Sequence, residues 1–361
     1  MTLHRLYRRR VTSDQRPPRF RTELPSELRG QSFTVADAQA LGVGRGRLQN
    51  RGLDRPFRGV RVDAIAPQPT IEHEARAAAI RRERRAHDLH YAPLLKESQA
   101  YGAISAARVL GLPLPWPLLN DARVHLIVPE GRNLPRRPGV VTRIVPLRLW
   151  RTFMFEGVPL PHPALLYCLM SRDLLRSKAS AARSDLLSLG DALVTAAPNY
   201  PNRIWRGSLA TRATLADAVA EWSPGYGSAL LREMTPQIRE EVESPYESLM
   251  RFVLHDSGYP ELAVQHSLQV GGVELARPDC ADLRAKIAYD FEGLGHLVSP
   301  SQWRRDVKRA RLVTNLGWHG ERLTLADLWP DPSEFIRHAH ALRERRLRLP
   351  SRTRLASPSI R

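Results

Sequence analysis

The chain has 361 residues, 42% of them hydrophobic, and carries 55 Lys and Arg against 37 Asp and Glu, a formal charge of +18. That length exceeds one ordinary core and predicts two or three domains, while the charge predicts a polyanionic partner such as a phosphate backbone. Two cysteines, Cys168 and Cys280, exclude a zinc framework or a disulfide scaffold, and no apolar run approaches the roughly 18 residues of a membrane span, so a reducing cytoplasm is expected.

Residues 1–25 are basic and contain Arg16-Pro17-Pro18-Arg19. No apolar segment follows the early arginines, which argues against a secretory signal and predicts a disordered basic arm. Residues 26–65 carry a compact pattern. Thr34 caps a helix with Asp37 three residues on, Ala38, Ala40 and Leu41 continue it, and Gly42 stops it. A second helix is expected from Gly44 to Arg51, followed by a strand-like run from Leu53 to Val62. Helix, turn, basic helix and strand predict a winged helix-turn-helix. It would set Arg45, Arg47, Gln49, Asn50 and Arg51 against a DNA groove, and Arg58 or Arg61 against phosphates.

Residues 66–235 read as an α+β middle domain with a helical linker. An arginine-dense helix spans 72–91, and Ala103 to Leu110 forms another that Gly111 ends. Strand-like runs from Arg123 to Val128 and from Gly139 to Val145 flank a basic loop at 131–138. Core helices at 161–170 and 184–194 and a helical pair within 208–234 complete the region. Nothing in it has the spacing of a catalytic motif.

Residues 240–330 open with Ser244 as a helix cap and Pro245 at the first helical position. Strands are expected at 263–270, 273–279 and 286–292, with a tight turn at Gly271-Gly272. A basic helix containing Trp303, Arg304, Arg305, Asp306, Lys308, Arg309 and Arg311 follows, then a strand after Gly317-Trp318. Residues 331–361 predict a C-terminal helix and a basic tail.

The acids of this last region carry the chemistry. Asp290 and Glu292, at i and i+2 of a strand, share a face. Asp279 lies 290 − 279 = 11 residues earlier, a spacing that suits the preceding strand of a hairpin. Three carboxylates gathered there repel one another unless a cation lies between them, and Mg²⁺ or Mn²⁺ is the expected resident.

The set Ser244-x-x-Glu247-Ser248, Arg277-x-Asp279, Asp290-Phe291-Glu292-Gly293, His296, Asp306-x-x-Arg309 and Gly317-Trp318 resembles the PD-(D/E)xK nuclease superfamily. The likeness covers residues 244–328 and is closest to the very-short-patch-repair-like branch. The resemblance implies a restriction-endonuclease-like α/β sandwich with a mixed sheet and Mg²⁺-dependent hydrolysis of DNA. It casts Asp279 as the central metal ligand and Asp290 as the second, with Glu292 where that branch often has Asp and the superfamily has Lys. Glu247 and His296 would complete the site. One departure is plain: the acids at 290 and 292 are exchanged relative to the family's Glu-aromatic-Asp-Gly order.

Residues 25–200 resemble the AbiEi-type antitoxin of type IV toxin–antitoxin systems through Phe33-Thr34-Val35-Ala36-Asp37-Ala38, Arg58-Gly59-Val60, Ser105-Ala106-Ala107, Leu110-Gly111-Leu112-Pro113 and Gly190-Asp191-Ala192-Leu193. This implies a winged helix that binds double-stranded DNA, represses its own promoter and works beside a cognate toxin. Together these readings predict a multidomain α/β protein that binds DNA and carries a metal-dependent endonuclease-like domain, acting in phage defence or repair. The alternative is a non-catalytic DNA-binding regulator or antitoxin. RNA is the other polyanion that the charge admits.

Overall fold

A computed structural model of the protein describes residues 23–63, 76–177, 179–197, 200, 202–292, 308 and 310–348. The basic N-terminal arm, the C-terminal tail, His296 and most of the basic helix expected across 303–311 lie outside these residues. The chain divides into two compact units. One holds residues 23–63 together with His90–Leu94. The other holds 76–89 and the described residues from Leu95 onward, so the expected middle and C-terminal regions share one unit.

In the first unit, β1 (Ser32–Thr34) runs into α1 (Val35–Ala40), then α2 (Arg45–Leu48), β2 (Leu53–Asp54) and β3 (Val60–Asp63). The strands form an antiparallel sheet in the order β1-β3-β2. Thr34 caps α1 as expected: its hydroxyl accepts the Asp37 N–H at 3.0 Å and donates to the Asp37 carboxylate at 2.6 Å. Leu28, Phe33, Ala38, Val43, Leu48 and Leu53 close a small core.

The second helix ends at Leu48, short of the expected Arg51. The Asn50 carboxamide accepts the Gly52 N–H at 3.0 Å, a local turn that competes with helix continuation. Two arginines then supply donors to carbonyls at the helix end, which lack helical partners. Arg61 donates to the Leu48 carbonyl at 2.8 Å, and Arg55 to that of Gln49 at 2.7 Å.

The second unit begins with α3 (Arg76–Leu89), β4 (Ala100–Tyr101), α4 (Ala103–Leu110), α5 (Trp116–Leu119), β5 (Val124–Pro129) and β6 (Val140–Val145). β5 is buried along its whole length as the middle strand of the sheet β4-β5-β6, parallel to β6 and antiparallel to β4. The hairpin β7 (Thr152–Phe155) and β8 (Val158–Pro161) leads to α6 (Pro163–Ser177) and α7 (Ala182–Val194), both largely buried. The expected helical pair is α8 (Arg212–Trp222) and α9 (Ser228–Met234).

The chain continues through α10 (Pro245–Asp256), β9 (Ala263–Val264), β10 (Leu268–Val270), β11 (Val273–Ala276), β12 (Cys280–Asp282), β13 (Ile287–Phe291) and β14 (His319–Leu323). α11 (Leu325–Leu328) and α12 (Ser333–Arg348) follow. A mixed sheet has the order β14-β13-β12-β9, with β14 parallel to β13 and the other pairs antiparallel. The strand expected across 263–270 is broken in two. Gln265 adopts φ +47°, and its N–H donates to the Asp279 carbonyl at 3.0 Å, so β10 leaves this sheet and pairs with β11 instead. Gly271 and Gly272, at φ +57° and +81°, make the expected turn between them.

Alternation along β13 separates two packed faces. Ile287 and Tyr289 pack with Met250 and Leu254 of α10 and with Phe335 and Leu342 of α12. Ala288, on the other face, packs with Leu268, Ala276 and Val313. The protein is therefore a mixed α/β assembly of several small sheets. Among the described residues, no helix is long and apolar enough to cross a membrane.

Candidate functional site: an acidic cluster at the end of the mixed sheet

α10 begins where the sequence indicates. The Ser244 hydroxyl accepts the Glu247 N–H at 3.2 Å, and Pro245 occupies the first turn. That cap turns Glu247 inward, and the residue is 5% exposed. Its carboxylate accepts the Glu243 N–H at 2.9 Å and the Gln265 amide at 3.4 Å. Burial, then the charge of nearby Asp279, push the Glu247 carboxyl up to about 8, against the opposing pull of its hydrogen bonds. Glu247 and Asp279 are thus the acids whose charges meet.

Asp279 immediately precedes β12. Cys280 pairs with Tyr289, so continuing the antiparallel register by one step sets Asp279 opposite Asp290. The hairpin relation expected from the 11-residue spacing is therefore present. The Asp279 carboxylate accepts the Phe291 N–H at 2.7 Å, which fastens it to the end of β13. Phe291 in turn stacks on Tyr246, ring centroids 4.7 Å apart and 14° from parallel. The residue beside Glu247 is thereby clamped to the strand that carries Asp290.

The expected convergence of Asp279, Asp290 and Glu292 on one cation is not made. Among the described residues, no group of three or more His, Cys, Asp or Glu side chains is arranged to hold a metal ion. The physical reason lies in β14, whose parallel pairing aligns Arg322 with Asp290. Arg322 forms an ion pair with Glu292 at 2.6 Å. A guanidinium thus supplies positive charge beside these acids, where the sequence pattern points to a metal ion. Alternation also puts Asp290 on the Ala288 face, whereas Glu247 comes from the helix packed on the other face.

In the first unit, Arg45, Gln49, Arg51 and Arg58 are exposed, and Arg47, Asn50 and Arg61 are half-buried. Arg45 and Arg47 lie on α2. Arg61 and Asn50 make the local contacts already described, so the surface of α2 and the turn after it offers mainly arginines and Gln49. The sequence reading gives no role to Arg322, whose pairing depends on the parallel register of β14 beside β13. Nor does it give one to the side chain of Asp191. It is fully buried on α7 and accepts the Ser248 hydroxyl at 2.7 Å, Arg251 at 2.8 Å and the Arg239 N–H at 2.7 Å. Ser248 adjoins Glu247, so this network holds the first turns of α10 in place.

No family model and no solved structure matches the chain. It is similar to two curated proteins of Mycobacterium tuberculosis, "Uncharacterized protein MT2308" of strain CDC 1551 / Oshkosh and "Uncharacterized protein Rv2248" of strain ATCC 25618 / H37Rv. Each is 27% identical over 213 residues, covering 59% of this chain and 71% of the relative.

Proposed function

We propose that the protein binds double-stranded DNA and that its C-terminal region is an endonuclease-like domain acting on phosphodiesters with a divalent cation. The observation that carries this reading is Glu247, a buried carboxyl whose charge meets that of Asp279 at a sheet end where Asp290 is the residue opposite Asp279. Carboxylate oxygens are the donors that Mg²⁺ and Mn²⁺ prefer, and acids of one sign in mutual reach are stabilised by such an ion. Glu247 and Asp279, whose charges meet, would hold it together with water or substrate oxygens, because Asp290 lies toward the other face and Glu292 is occupied by Arg322. When bound, the cation would polarise a scissile phosphate and acidify a water molecule.

The protein's own groups do the rest. The Phe291 N–H orients the Asp279 carboxylate. The Glu243 N–H and Gln265 do the same for Glu247. The arginines of α2 and the turn after it, with Arg58, would bring DNA to the molecule through its phosphates and base edges. His296, which the family resemblance adds to the site, lies outside the described residues.

Incubating the full-length protein with supercoiled plasmid and Mg²⁺ tests this reading. Nicking that EDTA abolishes and Asp279→Ala removes is the expected result. Intact plasmid with wild-type protein would oppose it. A second reading, a non-catalytic DNA-binding regulator, is favoured by the Arg322–Glu292 ion pair, since an acid already neutralised by arginine has less need of a metal. That reading expects a promoter-fragment shift unchanged by EDTA, with no nicking at any cation concentration.

A further inference from the structure

A cavity of about 260 Å³ lies beside the N-terminal turn of α10. Arg81, Ser188, Tyr200 and Asn202 give it polar edges, and Leu114 and Leu249 are among its apolar walls. Tyr200 is 3% exposed, and among the described residues its hydroxyl is without a hydrogen-bond partner. Buried hydroxyls are almost always paired, and Tyr200 belongs to the cavity wall with its hydroxyl just beneath the accessible surface.

The wall is firmly built. Gly111, at φ +69°, ends α4, and a Cβ there would lie 2.2 Å from the Asn202 carbonyl oxygen. Only glycine lets the segment carrying Tyr200 and Asn202 pack so closely against that helix end. The cavity also adjoins the acidic cluster. Tyr246, which lines it, stacks on Phe291, and the next residue is Glu247.

We propose that this cavity receives a single unstacked nucleobase of a bound strand, its ring against the apolar walls and its edge read by Tyr200, Arg81 and Asn202. A base offers flat apolar faces and an edge of mixed donors and acceptors. Arginine supplies only donors, whereas a phenol and a carboxamide each supply both. An extruded base forfeits stacking and regains it in a pocket of this kind. The inference rests on nucleic acid being the partner and is independent of cleavage.

The test uses full-length protein in EDTA and two end-labelled single-stranded oligonucleotides of equal length and charge, one of normal bases and one abasic throughout. Fluorescence anisotropy at fixed salt should show the base-bearing strand binding roughly tenfold more tightly, a difference of about 1.4 kcal/mol. Tyr200→Phe should abolish most of that preference and leave abasic binding unchanged. Leu249→Phe, which narrows the cavity from α10, should do the same by another route, with circular dichroism confirming that both variants fold. Equal binding of the two strands by wild type would overturn the cavity proposal alone, as would an undiminished preference in both folded variants. Binding of neither strand would overturn it together with the nucleic-acid reading.

Discussion

Glu247 is the residue on which the proposed chemistry turns, because its protonation state reports whether positive charge is nearby. In the metal-free protein, its pKa of about 8 exceeds the usual carboxyl value of 4.5. The folded state therefore binds this proton more tightly than the unfolded state does. The resulting stability is fully present below pH 4.5 and is lost as pH rises through 8. In EDTA, thermal denaturation should show falling stability across that window, with Glu247→Gln giving a flatter profile because it mimics the neutral acid. Adding Mn²⁺ should raise the wild-type melting temperature more at pH 8 than at pH 5 and leave the variant nearly unmoved. Arg322 works in the opposite sense. Its pair with Glu292 is 45% and 40% exposed, so Arg322→Ala should cost less than about 1 kcal/mol in urea denaturation. The substitution also removes a guanidinium from beside Asp290 and Glu292, so calorimetric titration should find tighter Mn²⁺ binding than in wild type.

Between elements, the decisive tie is Asp191, through which α7 grips α10. A buried carboxylate that satisfies Ser248, Arg251 and the Arg239 N–H leaves three donors unpaired when removed. Asp191→Ala should cost about 3–5 kcal/mol by urea denaturation, and Asp191→Asn less, because its carbonyl still accepts one of these donors. The legibility of the sequence follows the same division between local and distant. Thr34 with Asp37, Ser244 with Pro245, Gly111 and the Gly271-Gly272 turn depend on neighbours a few residues away, and each performs the local role its spacing indicates. The hairpin relation of Asp279 to Asp290 was readable for the same reason. The break at Gln265 was not, because a long-range bond to the Asp279 carbonyl enforces a left-handed residue that strand-like alternation conceals. Nor was the Arg322 pairing, which requires knowing that β14 lies parallel beside β13. Asp191 and Ser248 are 57 residues apart, and no local pattern announces that they touch.

At the scale of the whole molecule, a formal charge of +18 would make attraction to any polyanionic partner the dominant long-range force. Duplex binding should weaken steeply with salt. If six or more phosphates are contacted, the loss should be roughly a thousandfold or more between about 50 and 200 mM, as seen in a filter-binding or anisotropy titration. That charge makes the acidic cluster conspicuous, because acids gathered within a cationic molecule need a local reason. We assign that reason to a divalent ion held by Glu247 and Asp279. Electron paramagnetic resonance of free Mn²⁺ during titration into metal-free protein measures this most directly. Loss of the free-ion signal with wild type and its retention with Asp279→Ala are the expected results. Equal retention with both proteins, or equal loss, would contradict that assignment.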